Sequence, residues 1–510
     1  MTSNQIFMLI SIVAYLLIIV YVGIRCSKRN ENVGDFYLGG RKLGPFVTAM
    51  SAEASDMSSW LLMGLPGVAY LSGIADAGWT ALGLAVGTYV NWLIVAKRLR
   101  HYSQANNSIT IPDFFSNRYR DSKNMLLAIS AIIIIIFFIP YTGSGFAACG
   151  KLFSSLFGMD YHVAMIISAL IIIAYTCLGG FLAASTTDFI QSIIMSIALI
   201  IVLGFGINVA GGFDAVIENA KALPGYLSLN SLYDPTTGSE TSYGIIKIAS
   251  TFAWGLGYFG MPHILLRFMA IEDSKKLKTS RRIASVWVVI SMAVAVFIGV
   301  IGLAMTKAGA VETLKGSASE TIIVKISSLL STYGVIPALV AGVIIAGILA
   351  STMSTADSQL LAASSSVSEN ILNKTFKLNL SNKASMLAAR LTLVVIAIIG
   401  IVIAWNPESS VFTIVSFAWA GFGATFGPVM LAALFWKRSN KWGAMAGMVV
   451  GGVVVFVWKY IVRPLGGAWD IYELLPAFIC ACVAIVVVSL LTKAPEKEIT
   501  EEFDAVKAMK

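Results

Sequence analysis

Ser51-Ala-Glu-Ala-Ser-Asp-Met-Ser-Ser-Trp60 lies inside the apolar run 45–71, and its reading decides the fold. Two acids and four serines stand where lipid would favour hydrocarbon. A charge at mid-bilayer costs about 2.5–3.5 kcal/mol on insertion scales, so such residues are functional candidates by default. Counted from Pro45 at 1.5 Å per residue, Asp56 lies ~16 Å along the helix, near the midplane. Serine competes with helical backbone for hydrogen bonds, so this is a place where a helix can open and bare its carbonyls. Bare carbonyls beside a carboxylate and hydroxyls form a hard-oxygen site that suits Na⁺ and not a soft metal. A satisfied polar helix interface is the blander alternative.

The surrounding chain supports the membrane reading. Of its 510 residues 57% are hydrophobic and only 12% charged, about half the charged fraction of a soluble protein. Thirteen runs approach the roughly 20 residues that cross a bilayer: 5–25, 45–71, 75–97, 124–150, 161–182, 186–211, 243–267, 283–307, 335–368, 388–405, 411–436, 442–463 and 471–492. The first lacks a charged segment before it and a small-residue cleavage site after it, so it reads as a retained span and not a signal peptide. With the N-terminus outside and the C-terminus cytoplasmic, the cytoplasmic segments hold 28 of the 36 Lys and Arg residues, which fixes the orientation. That split also explains the net charge of +9 without a nucleic-acid partner. Five cysteines, four of them inside apolar runs, give no disulfide framework, and three histidines give no zinc set. The outer loop 308–334 carries a stretch, 320–330, spaced for a short amphipathic helix along the surface. The tail 493–510 reads as charged, short and mobile.

A second break stands in the seventh span, at Trp254-Gly-Leu-Gly-Tyr-Phe-Gly-Met-Pro262. Gly costs ~1 and Pro ~3 kcal/mol in a helix interior, so this stretch cannot remain regular. Trp254 and Tyr258, four apart, share a face and make an apolar wall with one hydroxyl. Close helix contact is the other use of such glycines. Setting aside the first span, the two interrupted helices open successive groups of five spans, the arrangement that marks a transporter's midplane site. In the ninth span Ser351, Ser354, Thr355 and Ser358 line one helical face, flanked by Asp357; hydroxyl contacts between helices are the competing explanation. Asp188 could cap the sixth span, and the ridge Gly443, Gly447, Gly451 suits helix packing. Gly145-Phe-Ala-Ala-Cys-Gly-Lys151 has phosphate-loop spacing but continues into Leu152 at the end of a span, so an ATP-driven pump is unsupported.

These stretches, together with Leu38-Gly-Gly-Arg-Lys-Leu-Gly-Pro-Phe-Val47, Tyr175-Thr-Cys-Leu-Gly-Gly-Phe181 with Thr187-Asp188, Met353-Ser-Thr355, Trp419-Ala-Gly-Phe-Gly423 and Phe426-Gly-Pro428, resemble the sodium:solute symporter family and, within it, the sodium/proline symporters. The likeness runs from about residue 5 to residue 494. It implies an all-α integral membrane protein with a LeuT-like core of two inverted five-helix repeats and discontinuous helices. The division that follows is 1–43 for an extra span and basic loop, 44–211 and 243–436 for the repeats, 212–242 for an outer loop, 437–492 for two extra spans and 493–510 for the tail. By the same resemblance, backbone oxygens of Ala54, Met57 and Ser351 would join the hydroxyls of Ser354 and Thr355 around sodium. Asp56 matches an acid needed for sodium coupling, and Ser58 a residue tied to both ion and substrate. Trp60, Tyr141, Trp254, Tyr258 and Pro262 match proline-binding positions, while Arg41 and Asp188 match polar residues toward the cytoplasm. Ser59, Met261 and Asp357 depart from the pattern, and a second cation near Asp188 and Ser354 is left open.

The expected activity is therefore sodium-coupled uptake of a small amino acid, most plausibly L-proline, across the plasma membrane by alternating access. A sugar, sialic acid or pantothenate would be alternative cargoes, a proton an alternative ion, and a gated channel or solute sensor an alternative class. No HExxH or GxSxG motif points to an enzyme, and no obligate protein partner is expected.

Overall fold

A computed structural model describes residues 2–27 and 33–509. Lys28 and Arg29 of the basic loop that follows the first span lie outside the described residues. In chain order the helices are α1 (Ser3–Ser27), α2 (Val33–Leu38), α3 (Pro45–Asp56), α4 (Leu65–Ser72), α5 (Ile74–Val90), α6 (Ala96–Ala105), α7 (Ile111–Arg118), α8 (Met125–Phe157), α9 (Tyr161–Val209) and α10 (Phe213–Lys221). After a two-stranded hairpin (β1, Ser231–Asp234; β2, Ser239–Ser242) come α11 (Ile245–Phe252), α12 (Pro262–Ala270), α13 (Leu277–Lys307), α14 (Ile322–Ser331), α15 (Val335–Ser365), α16 (Asn382–Ile403), α17 (Val411–Phe435), α18 (Lys441–Val457), α19 (Leu474–Leu491) and α20 (Lys497–Ala508). The hairpin in the outer loop and an isolated parallel bridge between Leu43 and Ile271 are the departures from an all-helical chain among the described residues.

Ten helical stretches are long and apolar enough to cross a membrane, and three shorter apolar helices, Trp60–Ser72, Tyr161–Ala174 and Ile245–Phe259, accompany them. Spans five and six, expected as separate helices, are the two parts of α9, divided at Gly180 by a non-helical backbone (φ 68°, ψ −176°), with the apolar stretches Tyr161–Ala174 and Gly180–Val209 on either side. α15 packs against α9, α1 and α8, and α3 packs against α9, α13, α12 and α15, so both candidate ion-binding elements lie at the centre. Exposed Leu17, Ile18, Ile200, Val286 and Leu491 leave apolar side chains facing outward on the perimeter, as a lipid-facing surface requires.

Three expectations need correcting. The stretch 320–330 does form a helix, α14, but it is packed into the protein with Ile322, Ile323, Val324 and Ile326 buried, instead of lying along the surface. Its leading residue Glu320 is buried too and pairs with Lys151 at 2.7 Å. The tail is not mobile: α20 docks, with Ile499, Phe503 and Val506 buried. Arg98 and Arg118 lie 4.9 and 5.2 Å from the Phe503 ring, and Arg120 and Lys437 pair with Glu498 and Asp504. A charged stretch reads as solvated, yet its apolar face and opposite-charge partners here give it a seat.

The glycine ridge is a packing device. A Cβ on Gly443 would fall 1.9 Å from the Ser489 hydroxyl oxygen and one on Gly451 2.3 Å from the Ala424 carbonyl oxygen, so α18 approaches α19 and α17 more closely than any larger residue allows.

Candidate functional site at two broken helices

Both predicted breaks are present. α3 ends at Asp56; Met57 takes φ −76°, ψ 69°, and its amide donates back to the Glu53 carbonyl at 2.8 Å. The chain resumes helically only at Trp60–Gly64, wound as a π-turn, before α4. In the seventh span α11 passes into a tight 3₁₀ stretch, Ala253–Phe259, and the helix ends at Gly260. Met261 is extended and Pro262 opens α12, where its fixed φ and missing N–H suit a first turn. The glycines here also serve close contact: a Cβ on Gly257 would lie 1.9 Å from Trp419 Nε1. The two uses of glycine weighed from the sequence are thus both made.

α15 runs unbroken past the first gap. Its Ser354 hydroxyl donates to the Ala54 carbonyl at 2.7 Å and also reaches the Ser351 carbonyl at 3.2 Å. Thr355 donates to the same Ser351 carbonyl at 3.1 Å. Ala54, Ser351, Ser354 and Thr355 are therefore brought together, all buried and all oxygen-bearing, with Met57 in the gap itself. Backbone and hydroxyl oxygens withdrawn from water can replace the hydration shell of a hard monovalent cation. Among the described residues no group of three His, Cys, Asp or Glu side chains is placed to hold a metal ion.

Asp56 does not join the hydroxyl face. Its carboxylate accepts from the Tyr258 hydroxyl, and its carbonyl accepts from Trp60 Nε1 at 3.1 Å and the Tyr141 hydroxyl at 3.3 Å. Three expected substrate residues thus converge on Asp56. Ser58, inside the gap, accepts from the Trp60 amide at 3.4 Å. Trp254 lies 6.2 Å, centroid to centroid, from Trp60 and 6.3 Å from Trp419, whose Nε1 donates to the Trp254 carbonyl at 2.8 Å. On its other side Trp254 stacks on Tyr472 at 5.1 Å and lines a cavity of about 410 Å³ with Asp76, Arg463 and Asp470. It therefore separates that open vestibule from the buried Asp56 cluster. Pro262 is buried at the start of α12.

Asp188 reads from its position as a cap on the sixth span. Instead it is fully buried, accepting from Ser51 at 2.7 Å and from Arg267 at 3.0 Å. Arg267 also donates to Ser51, to Ser358 and to the His263 carbonyl. Asp357, next to Ser358, accepts from its hydroxyl at 3.2 Å. The buried carboxylate explains how Arg267 lies 1% exposed, since a desolvated guanidinium requires a partner. The signal was a basic residue five positions after Pro262, on the last turn of the seventh apolar run. Arg41 contacts none of these groups: it donates to the Met269 carbonyl at 2.6 Å and to Ser103 and Ser108, tying the approach to α3 onto α6 and α12. Glu53 and Trp419, unassigned from the sequence, also belong to the centre, Glu53 through a 2.9 Å bond from Trp92 Nε1.

The model of the sodium:solute symporter family matches residues 36–451. The chain is 43% identical over 486 residues to the high-affinity proline transporter PutP of Bacillus subtilis, covering 95% of this chain and 98% of that one. It is 43% identical over 503 residues to the sodium/proline symporter of Haemophilus influenzae, covering 97% of each. Among solved structures, a Na⁺-coupled sialic acid symporter in a substrate-bound outward-open state matches with TM-score 0.78 at 19% identity, over 96% of this chain and 99% of that one. MhsT in complex with L-phenylalanine matches with TM-score 0.53 at 14% identity, over 88% and 97%. Both are LeuT-fold transporters. A multi-pass helical chain interrupted at two points, matched over most of its length by that family's model and by full-length relatives, belongs to the sodium:solute symporter family.

Proposed function

We propose that this protein imports L-proline together with sodium across the plasma membrane. The carrying observation is the Ala54 carbonyl bared at the end of α3 and held 2.7 Å from the Ser354 hydroxyl of α15. In this reading the backbone oxygens of Ala54, Met57 and Ser351 and the hydroxyls of Ser354 and Thr355 take up sodium. Ser354 turns a lone pair, in place of its proton, toward the gap. The ion then ties α3 to α15, which favours one arrangement of the bundle over the other.

Proline would lie beside Asp56, against Trp60, Tyr141, Trp254 and Tyr258, with Ser58 between ion and substrate and Pro262 setting the start of α12. A compact apolar ring suits an aromatic wall with two hydroxyls, and Trp254 closes the wall toward the vestibule. Asp188, with Arg267, Ser51 and Asp357, would hold the opposite side shut until the ion and substrate loosen it, with Arg41 anchoring the loop that leads into α3. Thirteen spans, the two inverted five-helix repeats 44–211 and 243–436, an outside N-terminus and a cytoplasmic C-terminus complete the reading, supported by the 28-of-36 distribution of basic residues. The names of the full-length relatives support proline as cargo and sodium as driver.

The test is uptake of radiolabelled proline, galactose, sialic acid and pantothenate into proteoliposomes under an inward sodium gradient, repeated in sodium-free buffer at varied pH. Sodium-dependent accumulation of proline alone is expected. Accumulation of another solute, or proline uptake driven by a pH gradient without sodium, would refute it.

A further inference from the structure

The cavity of about 410 Å³ outside Trp254 is lined by charges of both signs. Asp76, on the first turn of α5, is half-buried in its wall. Its Oδ1 accepts from the Tyr243 hydroxyl at 2.8 Å, and that hydroxyl lies 2.5 Å from the Thr251 hydroxyl of α11, so the carboxylate is held in place. Lys247 of α11 and Arg463, between α18 and α19, line the same cavity. Asp470 and Glu473 each hold Arg463 at 3.1 Å, and Asp470 lies 3.7 Å from Lys247.

Asp76 and the two cations do not meet. Lys247 and Arg463 attract Asp76 through space, yet among the described residues no Lys, Arg or His forms an ion pair with it, and the contacts of these two are made to Asp470 and Glu473 instead. An acid with access to water, a hydroxyl donor and two attracting cations favours its charged form. The cavity therefore keeps a negative and a positive pole apart within one space.

A ligand with a single charge suits one pole and is repelled by the other. A zwitterion suits both. Its ammonium group can donate to Asp76 while its carboxylate accepts from Arg463 or Lys247, and such charge-assisted bonds are stronger than neutral ones. The rest of the lining offers an apolar surface. Trp254 lies 5.3 Å from Phe412 and 5.1 Å from Tyr472, and all three face the cavity, where a small saturated ring can rest against them. Tyr472 is pinned there by its hydroxyl, which donates to the Ser416 carbonyl at 2.6 Å, and by its amide, which donates to Ser250 at 2.5 Å. Trp254 also belongs to the wall of the Asp56 cluster, so this cavity is the step before it.

We propose that the vestibule is a recognition site for a zwitterionic amino acid, held between Asp76 and the Arg463 and Lys247 cations, from which proline passes Trp254 to the central site. None of the proposed sodium ligands lines it, so binding here is independent of sodium. Its charged groups are partly exposed to water, so binding is weak. The identity of the cargo rests on the sodium-coupled reading above, and the test separates the two.

The test is saturation-transfer NMR of L-proline with the purified full-length protein in potassium, set beside equilibrium binding of radiolabelled proline in sodium. In potassium the ring protons should receive saturation, with a dissociation constant roughly tenfold or more above that in sodium. Prolinamide and N-acetylproline, each lacking one of the two charges, should bind roughly tenfold more weakly still. Asp76→Asn should weaken the sodium-free binding roughly tenfold and keep the tight binding in sodium, which reports that the variant has folded. Lys247→Gln, at a more exposed position, should weaken it roughly threefold, and it is the deciding variant should Asp76→Asn fail to fold. Tyr258→Phe, inside the Asp56 cluster, should leave the sodium-free binding as it is. Absence of sodium-free binding in the wild type overturns the vestibule site. So does its full persistence in folded Asp76→Asn or in Lys247→Gln, its loss in Tyr258→Phe, or equal binding of the two analogues. Sodium-free binding without tight binding in sodium would instead overturn the sodium-coupled proline reading and leave the vestibule site standing.

Discussion

Ser354→Ala isolates one ligand of the sodium site, and the structure sets the size of its effect. Without the ion, the Ser354 hydroxyl donates to the Ala54 carbonyl at 2.7 Å, a neutral buried hydrogen bond that contributes about 1 kcal/mol. With the ion, the same oxygen becomes a ligand to a charge, an interaction of about 1.5–3 kcal/mol. Alanine removes both, so the ion-free state loses part of what the bound state loses. The difference, about 0.5–2 kcal/mol, corresponds to a roughly 2- to 30-fold rise in the sodium concentration for half-maximal uptake. The assay is initial-rate proline uptake into proteoliposomes across a sodium series at saturating proline. The maximal rate should be largely kept, because the hydroxyl contacts neither Asp56 nor the aromatic wall. A sodium dependence shifted less than twofold, or a defect confined to the proline KM, would refute the assignment.

Tyr258→Phe removes the one donor to the Asp56 carboxylate among the described residues and should raise the proline KM by roughly 5- to 150-fold for a loss of about 1–3 kcal/mol, read from uptake at saturating sodium. Glu320→Gln leaves Lys151 buried without its counter-charge and also weakens the capping of α17, whose Val411 and Phe412 amides donate to Glu320. A loss of about 3–5 kcal/mol is expected, seen as a lowered thermal midpoint in detergent and partly restored by adding Lys151→Met. Phe503→Ala empties the slot between Arg98 and Arg118 and should release α20, so that trypsin cleaves at Lys497 and Lys507 markedly faster than in the wild type. An unchanged midpoint or an unchanged cleavage rate would contradict these last two readings in turn.

The two breaks were legible because their causes are local. Serines that compete with the backbone around Asp56, and glycines and a proline within nine positions of the seventh span, act on their own turn of chain whatever the rest of the fold does. The hydroxyl face of α15 followed from helical spacing for the same reason. What escaped depends on distant partners. Arg267 reads as the end of a span until Asp188, 79 positions away, supplies its counter-charge. Glu320 reads as the edge of a surface helix until Lys151 and the start of α17 converge on it. The tail reads as solvated until Arg98, Arg118, Arg120 and Lys437 provide its seat, and those residues come from three separate stretches of chain. Arg41, matched by resemblance to a polar residue toward the cytoplasm, donates to the Ser103, Ser108 and Met269 carbonyls, contacts that its sequence neighbours do not announce.

The most direct test of the sodium-site assignment is an experimental density map of the purified protein in sodium and L-proline, compared with one in potassium alone. The account predicts a sodium-dependent peak between the open end of α3 and α15, contacted by the Ala54 carbonyl and by Ser354 and Thr355, with proline against Asp56, Trp60 and Tyr258. Density in which α3 continues unbroken through Met57, or a peak that leaves Ser354 still donating to Ala54, would contradict it.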